Sequence, residues 1–235
     1  MATVTASMST IAWREPGLAV AVRSLLPQVD RLNVFLQGYS HVPACLEDPR
    51  VTVLRDTDAP ESAALGASAK YHWYWHGLVE DGYHLAVDDD IEYPPDYVQR
   101  CMSAIGDRRV VVGFHGGTYR TPMRRYFRDR QVYRFDKPLA ADTFVHMLGT
   151  GTTAMHTSAL RLTSEDFTAP NSCDLFIAIA GQRQQVPMLC LARNRGYLRA
   201  LPLAYDERAA SADEGYAARM VALHATVPEW KVYTT

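Results

Sequence analysis

The sequence predicts an α/β protein with a largely parallel central sheet flanked by helices. Two observations carry that prediction. Short apolar runs alternate with longer amphipathic ones through the first two-thirds of the chain, in a βαβαβ rhythm. One of the apolar runs, Tyr83–Val87, leads straight into three aspartates, Asp88-Asp89-Asp90, as a strand feeding a functional loop would.

Taken in order, Ala2–Met8 is strand-like, and Glu15–Leu26 is helical with Leu18, Val22, Leu25 and Leu26 on one face. Leu32–Leu36 and Val51–Leu54 are apolar or β-branched runs bounded by polar and turn residues, so both are expected strands. Ser68–Val79 is an expected helix that ends near the Gly82 turn. Beyond the strand Tyr83–Val87, Pro94-Pro95 stops regular structure and opens a helix over Asp96–Ile105. Val110–Phe114 is a continuous apolar strand. Val145–Met155 is strand-like around Gly149 and Gly151, Asn171–Gln185 is helical, and Pro187–Ala192 is a short strand. There is no internal repeat and no linker that would cut the chain, so a single domain is expected over 1–235.

Composition narrows the function. The chain has 235 residues, 48% of them hydrophobic, enough for a sizeable core and incompatible with wholesale disorder. A formal charge of −2 excludes a generic nucleic-acid binder that relies on a basic surface. No apolar run is long enough to span a bilayer, and Met1–Met8 has no basic, apolar leader pattern. Cys45, Cys101, Cys173 and Cys190 form no Cys-x-x-Cys pair, so reduced, mostly buried thiols in a cytoplasmic protein are expected rather than structural zinc.

The charge is unevenly spread. Residues 108–137 hold nine basic and two acidic side chains, a local +7 against about −9 elsewhere. Aromatics interleave with the arginines. Clustered arginines such as Arg124 and Arg125 suit phosphate or carboxylate groups, and aromatics suit sugar faces. An anionic glycan or a lipid-linked diphosphate at a membrane surface would satisfy both.

Three adjacent carboxylates are costly to bring together without a cation. If the segment stays extended, Asp88 and Asp90 share one side and Asp89 turns away. A hard ion such as Mg²⁺ or Mn²⁺ accepts carboxylate oxygen and leaves room for phosphate oxygens. An isolated Asp-x-Asp is commonly a solvated turn. Its place after a buried strand and before Pro94-Pro95 favours a metal–diphosphate site.

Here the chain resembles a family. The stretch YHLAVDDDIEYPPDYV is similar to the Asp-x-Asp segment of GT-A-fold glycosyltransferases, especially family 2-like bacterial enzymes. ASMSTIAWREPGLAVAVRSLLPQVDRLNVFLQGY is similar to that family's first strand, helix and second strand, and the likeness extends through FVHMLGTGTTAMHTSAL and PNSCDLFIAIAGQRQQVPMLCLAR to about Arg199. The resemblance implies the Rossmann-like nucleotide-diphospho-sugar transferase fold, with residues 1–114 holding the donor and 115–235 the acceptor. It implies that Asp88 and Asp89 meet the donor, that Asp90 and Asp88 hold Mn²⁺ or Mg²⁺, and that strand ends at Ser7, Met8 and Gln37 meet the nucleotide. Arg14 and Lys70 are then placed to face the base or diphosphate, although Lys70 could equally be a surface lysine. Gly149, Thr150 and Gly151 would line the donor-sugar and acceptor pocket, or mark a structural bulge.

Two positions depart from the family pattern. Gln37-Gly38-Tyr39 stands where an acidic residue usually closes the second strand, and Cys173-Asp174 replaces a Glu-Asp pair. Asp174, at the start of an expected helix, is the candidate base for inverting transfer, or else a helix cap. His224 is the candidate metal histidine, with His115 and His156 as alternatives. His72 and His76 have the i, i+4 spacing that can bind zinc. With no Glu beside His72, and with Trp73, Tyr74 and Trp75 around them, packing is the expected role.

The sequence thus predicts a metal-dependent glycosyltransferase acting on a nucleoside-diphosphate sugar, most simply a UDP-sugar, in bacterial surface polysaccharide or glycoconjugate synthesis. Nucleic acid is not an expected partner, and contact with the inner face of the membrane through 108–137 is. Inverting transfer is the expected stereochemistry, with a retaining mechanism left open. A nucleotidyltransferase of similar metal–carboxylate chemistry, or a non-catalytic nucleotide-sugar-binding subunit, is the alternative.

Overall fold

A computed structural model describes residues 2–202 and 214–234. The first half builds the parallel sheet. Thr3–Ile11 (β1), Arg31–Gln37 (β2), Val51–Arg55 (β3) and Gly82–Val87 (β4) are joined by helical crossovers, with Glu15–Leu25 (α1) between the first two. Two short helices, Pro60–Ala63 (α2) and His72–Trp75 (α3), flank a 3-10 turn at Gly66–Tyr71 before β4. Ile91–Glu92 (β5), Tyr97–Ile105 (α4) and Val111–Gly113 (β6) follow. Gly116–Tyr119 (β7), Arg130–Tyr133 (β8), Thr143–Val145 (β9), Met147–Leu148 (β10) and Thr152–His156 (β11) then precede Cys173–Gln184 (α5). Met188–Cys190 (β12), Arg199–Ala200 (β13) and Glu214–His224 (α6) complete the described elements.

The main sheet has eight strands in the order β3-β2-β1-β4-β11-β6-β12-β9. The mostly parallel sheet expected from the sequence is present: β11 and β9 are the two strands that run against the rest. Parallel strands covered on both faces read as unbroken apolar runs, because neither face can tolerate water. The pleat divides their side chains between the two faces of the sheet. Leu85, Val87 and Val112 join Leu18, Leu25 and Tyr97 on the α1 and α4 side. Ala86, Val111 and Met155 join Leu175, Phe176 and Met188 on the α5 side.

Three expectations of local structure are corrected. The strand expected to close at Met8 continues to Ile11. Polar Ser9 and Thr10 stay in it because they find partners: Gln37 Nε2 donates to Ser9 Oγ (2.6 Å), and the hydroxyls of Thr10 and Tyr39 share a hydrogen bond (3.0 Å). The helix expected over Ser68–Val79 is a 3-10 turn followed by a single α-helical turn. It stops at Gly77, whose φ of +67° reverses the chain. The strand expected over Val145–Met155 is three pieces, because the chain turns at Gly149–Gly151.

That last turn positions the site. Since β11 pairs antiparallel with β4, Thr152 lies opposite Val87. The start of β11 therefore meets the carboxyl end of β4, and Gly149-Thr150-Gly151 packs beside the acidic triplet. After β12, β13 pairs with β5, and Leu201 N–H donates to Asp90 C=O (2.7 Å), tying the chain across the acidic turn.

Candidate active site

The regular strand ends at Val87, and Asp89-Asp90 form a turn. Strand alternation therefore does not extend through the triplet. The expectation that Asp89 points away from Asp88 and Asp90 is replaced by a division between two cations. Asp88 pairs with Lys70 Nζ. Asp89 Oδ1 accepts from Arg14 Nη1 at 2.7 Å, and Asp90 Oδ2 lies 3.8 Å from Arg14 Nη2.

Lys70 is no surface lysine. Its side chain is 2% exposed, and the 3-10 turn that carries it packs against β1. Burial alone would lower its pKa, but the Asp88 carboxylate, with a smaller effect from Asp174, raises it above the ordinary range. Asp89 is fully buried; burial pushes its carboxyl up and Arg14 opposes that. Asp90 is pushed up to about 7 by burial and then by the charges of Asp88 and Asp89. Asp89 Oδ2 has no hydrogen-bond partner among the described residues. The carboxylates are thus gathered with less positive charge than they call for. An all-oxygen set with two partly exposed members, Asp88 and Asp90, fits a hard divalent cation.

The opposite wall comes from α5. Thr150 donates both its backbone N–H (2.9 Å) and its Oγ1 hydroxyl (2.7 Å) to Asp174 Oδ1. The next residue, Gly151, packs against Asp88: a Cβ there would lie 2.0 Å from Asp88 Oδ2. Consecutive residues of one turn therefore hold carboxylates from two distant elements. Tyr93 locks this junction, because its hydroxyl accepts from Asp88 N–H (2.8 Å) and donates to Gly151 C=O (2.6 Å). Gly149 completes the turn, packed on the ring of His115, where a Cβ would lie 3.1 Å from the imidazole.

Other expected site residues are placed elsewhere. Ser7 is buried within the sheet, sharing a hydrogen bond with His84 Nε2 (3.1 Å) and accepting from Asn33 Nδ2 (3.3 Å); Met8 lies in the core. Neither is at a strand end, since β1 runs on to Ile11. Gln37 is at the end of β2, with its amide spent on Ser9 Oγ and Gly66 C=O. Arg124 and Arg125 are exposed, and their backbone N–H groups both donate to Asp129 Oδ2. The imidazole of His224 is buried in an aromatic cage, stacked on Trp230 and edge-on to Tyr119. Burial and the neighbouring His146 lower its pKa to about 4.

Sequence reasoning missed Tyr93, whose hydroxyl carries no motif signature. It also missed Arg193, which acts on His115 together with Arg130 and Arg134 of the basic segment. Burial chiefly lowers the His115 pKa; Asp174 opposes this and those arginines reinforce it. Arg193 is buried with its guanidinium on the carbonyls of Leu191, Tyr133 and Arg134. Local positive charge was the available signal, but Arg193 lies beyond the basic segment 108–137 and carries none of that signal.

No family model and no curated protein matches the chain. Solved structures do. The crystal structure of GalNAc-T7 with UDP, GalNAc and Mn²⁺ superposes with a TM-score of 0.57 at 10% identity, over 80% of this chain and 42% of that one. Glucosyl-3-phosphoglycerate synthase from Mycobacterium tuberculosis, in complex with UDP, gives a TM-score of 0.57 at 14% identity, over 97% of this chain and 82% of that one. The chain has the GT-A fold, a Rossmann-like sheet closed by an antiparallel insertion. It spans less than half the length of GalNAc-T7.

Proposed function

We propose that this chain is a metal-dependent glycosyltransferase that moves a sugar from a nucleoside-diphosphate donor to a glycan or lipid-linked acceptor. The observation that carries the reading is the junction at Thr150-Gly151, where Asp174 and Asp88 meet adjacent residues and Lys70, paired with Asp88, feels the charge of both. A GT-A fold with a metal–carboxylate group at the end of β4 and a second carboxylate across a short turn has the parts that sugar transfer needs. Both fold neighbours bind UDP and one binds Mn²⁺, so a UDP-sugar and Mn²⁺ or Mg²⁺ are the proposed donor and ion.

Asp88 and Asp90 would hold the ion, which supplies positive charge opposite the departing diphosphate. Lys70 and Arg14 fix the carboxylates from beneath. Asp174 would take the proton of the acceptor hydroxyl as that oxygen bonds to the anomeric carbon and the sugar–diphosphate bond breaks, inverting the centre. Its Oδ1 is engaged by Thr150, which aims the carboxylate and leaves Oδ2 for the hydroxyl. Residues 1–114 then form the donor half and 115–235 the acceptor half. Arg130, Arg134 and Arg193 place positive charge on the acceptor side, suited to an anionic acceptor at the inner face of a membrane. Bacterial surface polysaccharide or glycoconjugate assembly is the setting that fits such an acceptor.

The test is a thermal-shift screen of nucleotide sugars with and without Mn²⁺, followed by transfer assays on Asp174→Asn. Asn keeps an oxygen to accept from Thr150 but no basicity. Donor binding should persist while transfer falls by about 10²–10⁴-fold. Transfer at the wild-type rate would remove Asp174 from the mechanism. Stabilisation by no nucleotide sugar would remove the donor class.

A further inference from the structure

The tertiary structure supplies what the i, i+4 pair lacked in sequence. His72 opens α3 and His76 closes it, and their rings lie 4.4 Å apart between centroids. The third ligand type comes from another helix: Glu61, in the first turn of α2, brings a carboxylate oxygen to the same point. One candidate ligand atom from each of Glu61, His72 and His76 lies within 4.8 Å of the others. The packing expected of the two histidines is extensive for His72, whose ring meets Phe35, Trp73 and Trp75, and slighter for His76, whose ring meets Trp75 edge-on. His76 and Glu61 are exposed.

We propose that Glu61, His72 and His76 form a binding site for a divalent transition-metal ion of the zinc class, separate from the carboxylate group at the end of β4. Two imidazoles and one carboxylate are a donor set that borderline ions favour and that Mg²⁺ and Ca²⁺ do not. The site also has an outer partner. His72 Nδ1 and the buried hydroxyl of Ser62 share a hydrogen bond of 2.8 Å, which fixes the ring and leaves Nε2 as the ligand nitrogen. Three protein ligands leave a position open to water.

The consequence is mechanical. An ion here would join α2 to α3 across the 3-10 turn that carries Lys70. It would staple the segment that delivers Lys70 to Asp88. The site stands on its own residues and does not depend on the reading of the chain as a glycosyltransferase.

The experiment is calorimetric titration of Zn²⁺ into the full chain after EDTA treatment and dialysis, with Co²⁺ absorption as a second readout. The wild type should bind one Zn²⁺ that persists in the Asp88→Asn/Asp90→Asn double variant, and Co²⁺ should give the intense visible bands of a low-coordinate nitrogen–oxygen site. His76→Ala and Glu61→Gln change exposed residues, so folding is retained, and each should weaken Zn²⁺ by well over about tenfold. Ser62→Ala should weaken it by about tenfold through the lost outer partner. Zn²⁺ binding unchanged by His76→Ala and Glu61→Gln, or lost with the aspartate double variant instead, would overturn the assignment. So would absence of Zn²⁺ binding to the wild type.

Discussion

Asp90→Asn should stabilise the metal-free protein at pH 8 while removing its response to Mn²⁺. The Asp90 carboxyl rises from an ordinary 3.8 to about 7, because burial and then the charges of Asp88 and Asp89 disfavour ionisation. The native chain therefore keeps this proton to about pH 7, whereas the unfolded chain releases it near 3.8. For an acid shifted upward, the native state binds more protons, so stability falls as pH rises between those two values. A roughly thousandfold gain in proton affinity is worth about 4 kcal/mol at full strength, and about two-thirds of that is lost between pH 5 and pH 8. The side chain is 27% exposed. Solvent screening therefore reduces the expected gain at pH 8 to about 1–2 kcal/mol. For a chain of this size that moves Tm by about 2–8 °C. Thermal unfolding of wild type and variant in EDTA at both pH values reads it directly. A variant that gains as much at pH 5 as at pH 8, or is destabilised at pH 8, would refute the argument that the triplet carries excess negative charge.

Two other outcomes follow from the geometry. Gly151→Ala would put a methyl group 2.0 Å from Asp88 Oδ2. The carboxylate must swing aside, so Mn²⁺-dependent UDP affinity should drop by at least about tenfold while the fold loses about 1–3 kcal/mol; calorimetry showing unchanged UDP affinity would count against Asp88 as a ligand. Burial lowers the pKa of His84 from 6.5 to about 3, so it stays neutral in the folded chain. The unfolded chain takes up that proton below about 6.5, so stability is lost as pH falls from there toward 3, at about 1.4 kcal/mol per pH unit at full strength. His84→Gln, which keeps both a donor and an acceptor for Ser7 Oγ, should flatten urea-derived stability between pH 7 and pH 5 by about 1–2 kcal/mol.

Much of the fold was legible because parallel strands and their covering helices write their burial into adjacent residues. β2, β3, β4, α1, α4 and α5 lie within a few residues of their expected bounds. Where polar residues were buried with partners far along the chain, the reading failed. Ser9 and Thr10 looked like the end of a strand, yet Gln37 and Tyr39 keep them in it. The same gap left Lys70 undecided between site and surface, because its partner Asp88 lies far along the chain, and it hid Glu61, which no motif spacing links to His72 and His76.

The sequence by itself determined the α/β class and the acidic triplet, since hydrophobic periodicity and chemical type are local properties. It also named Asp174 and the glycine-flanked segment Gly149–Gly151, read as part of a strand, as separate features. Only the tertiary structure decided that they meet. The antiparallel insertion of β11 between β4 and β6 carries Gly151 to Asp88 and Thr150 to Asp174, and a strand's direction depends on pairing partners that no local run of residues encodes.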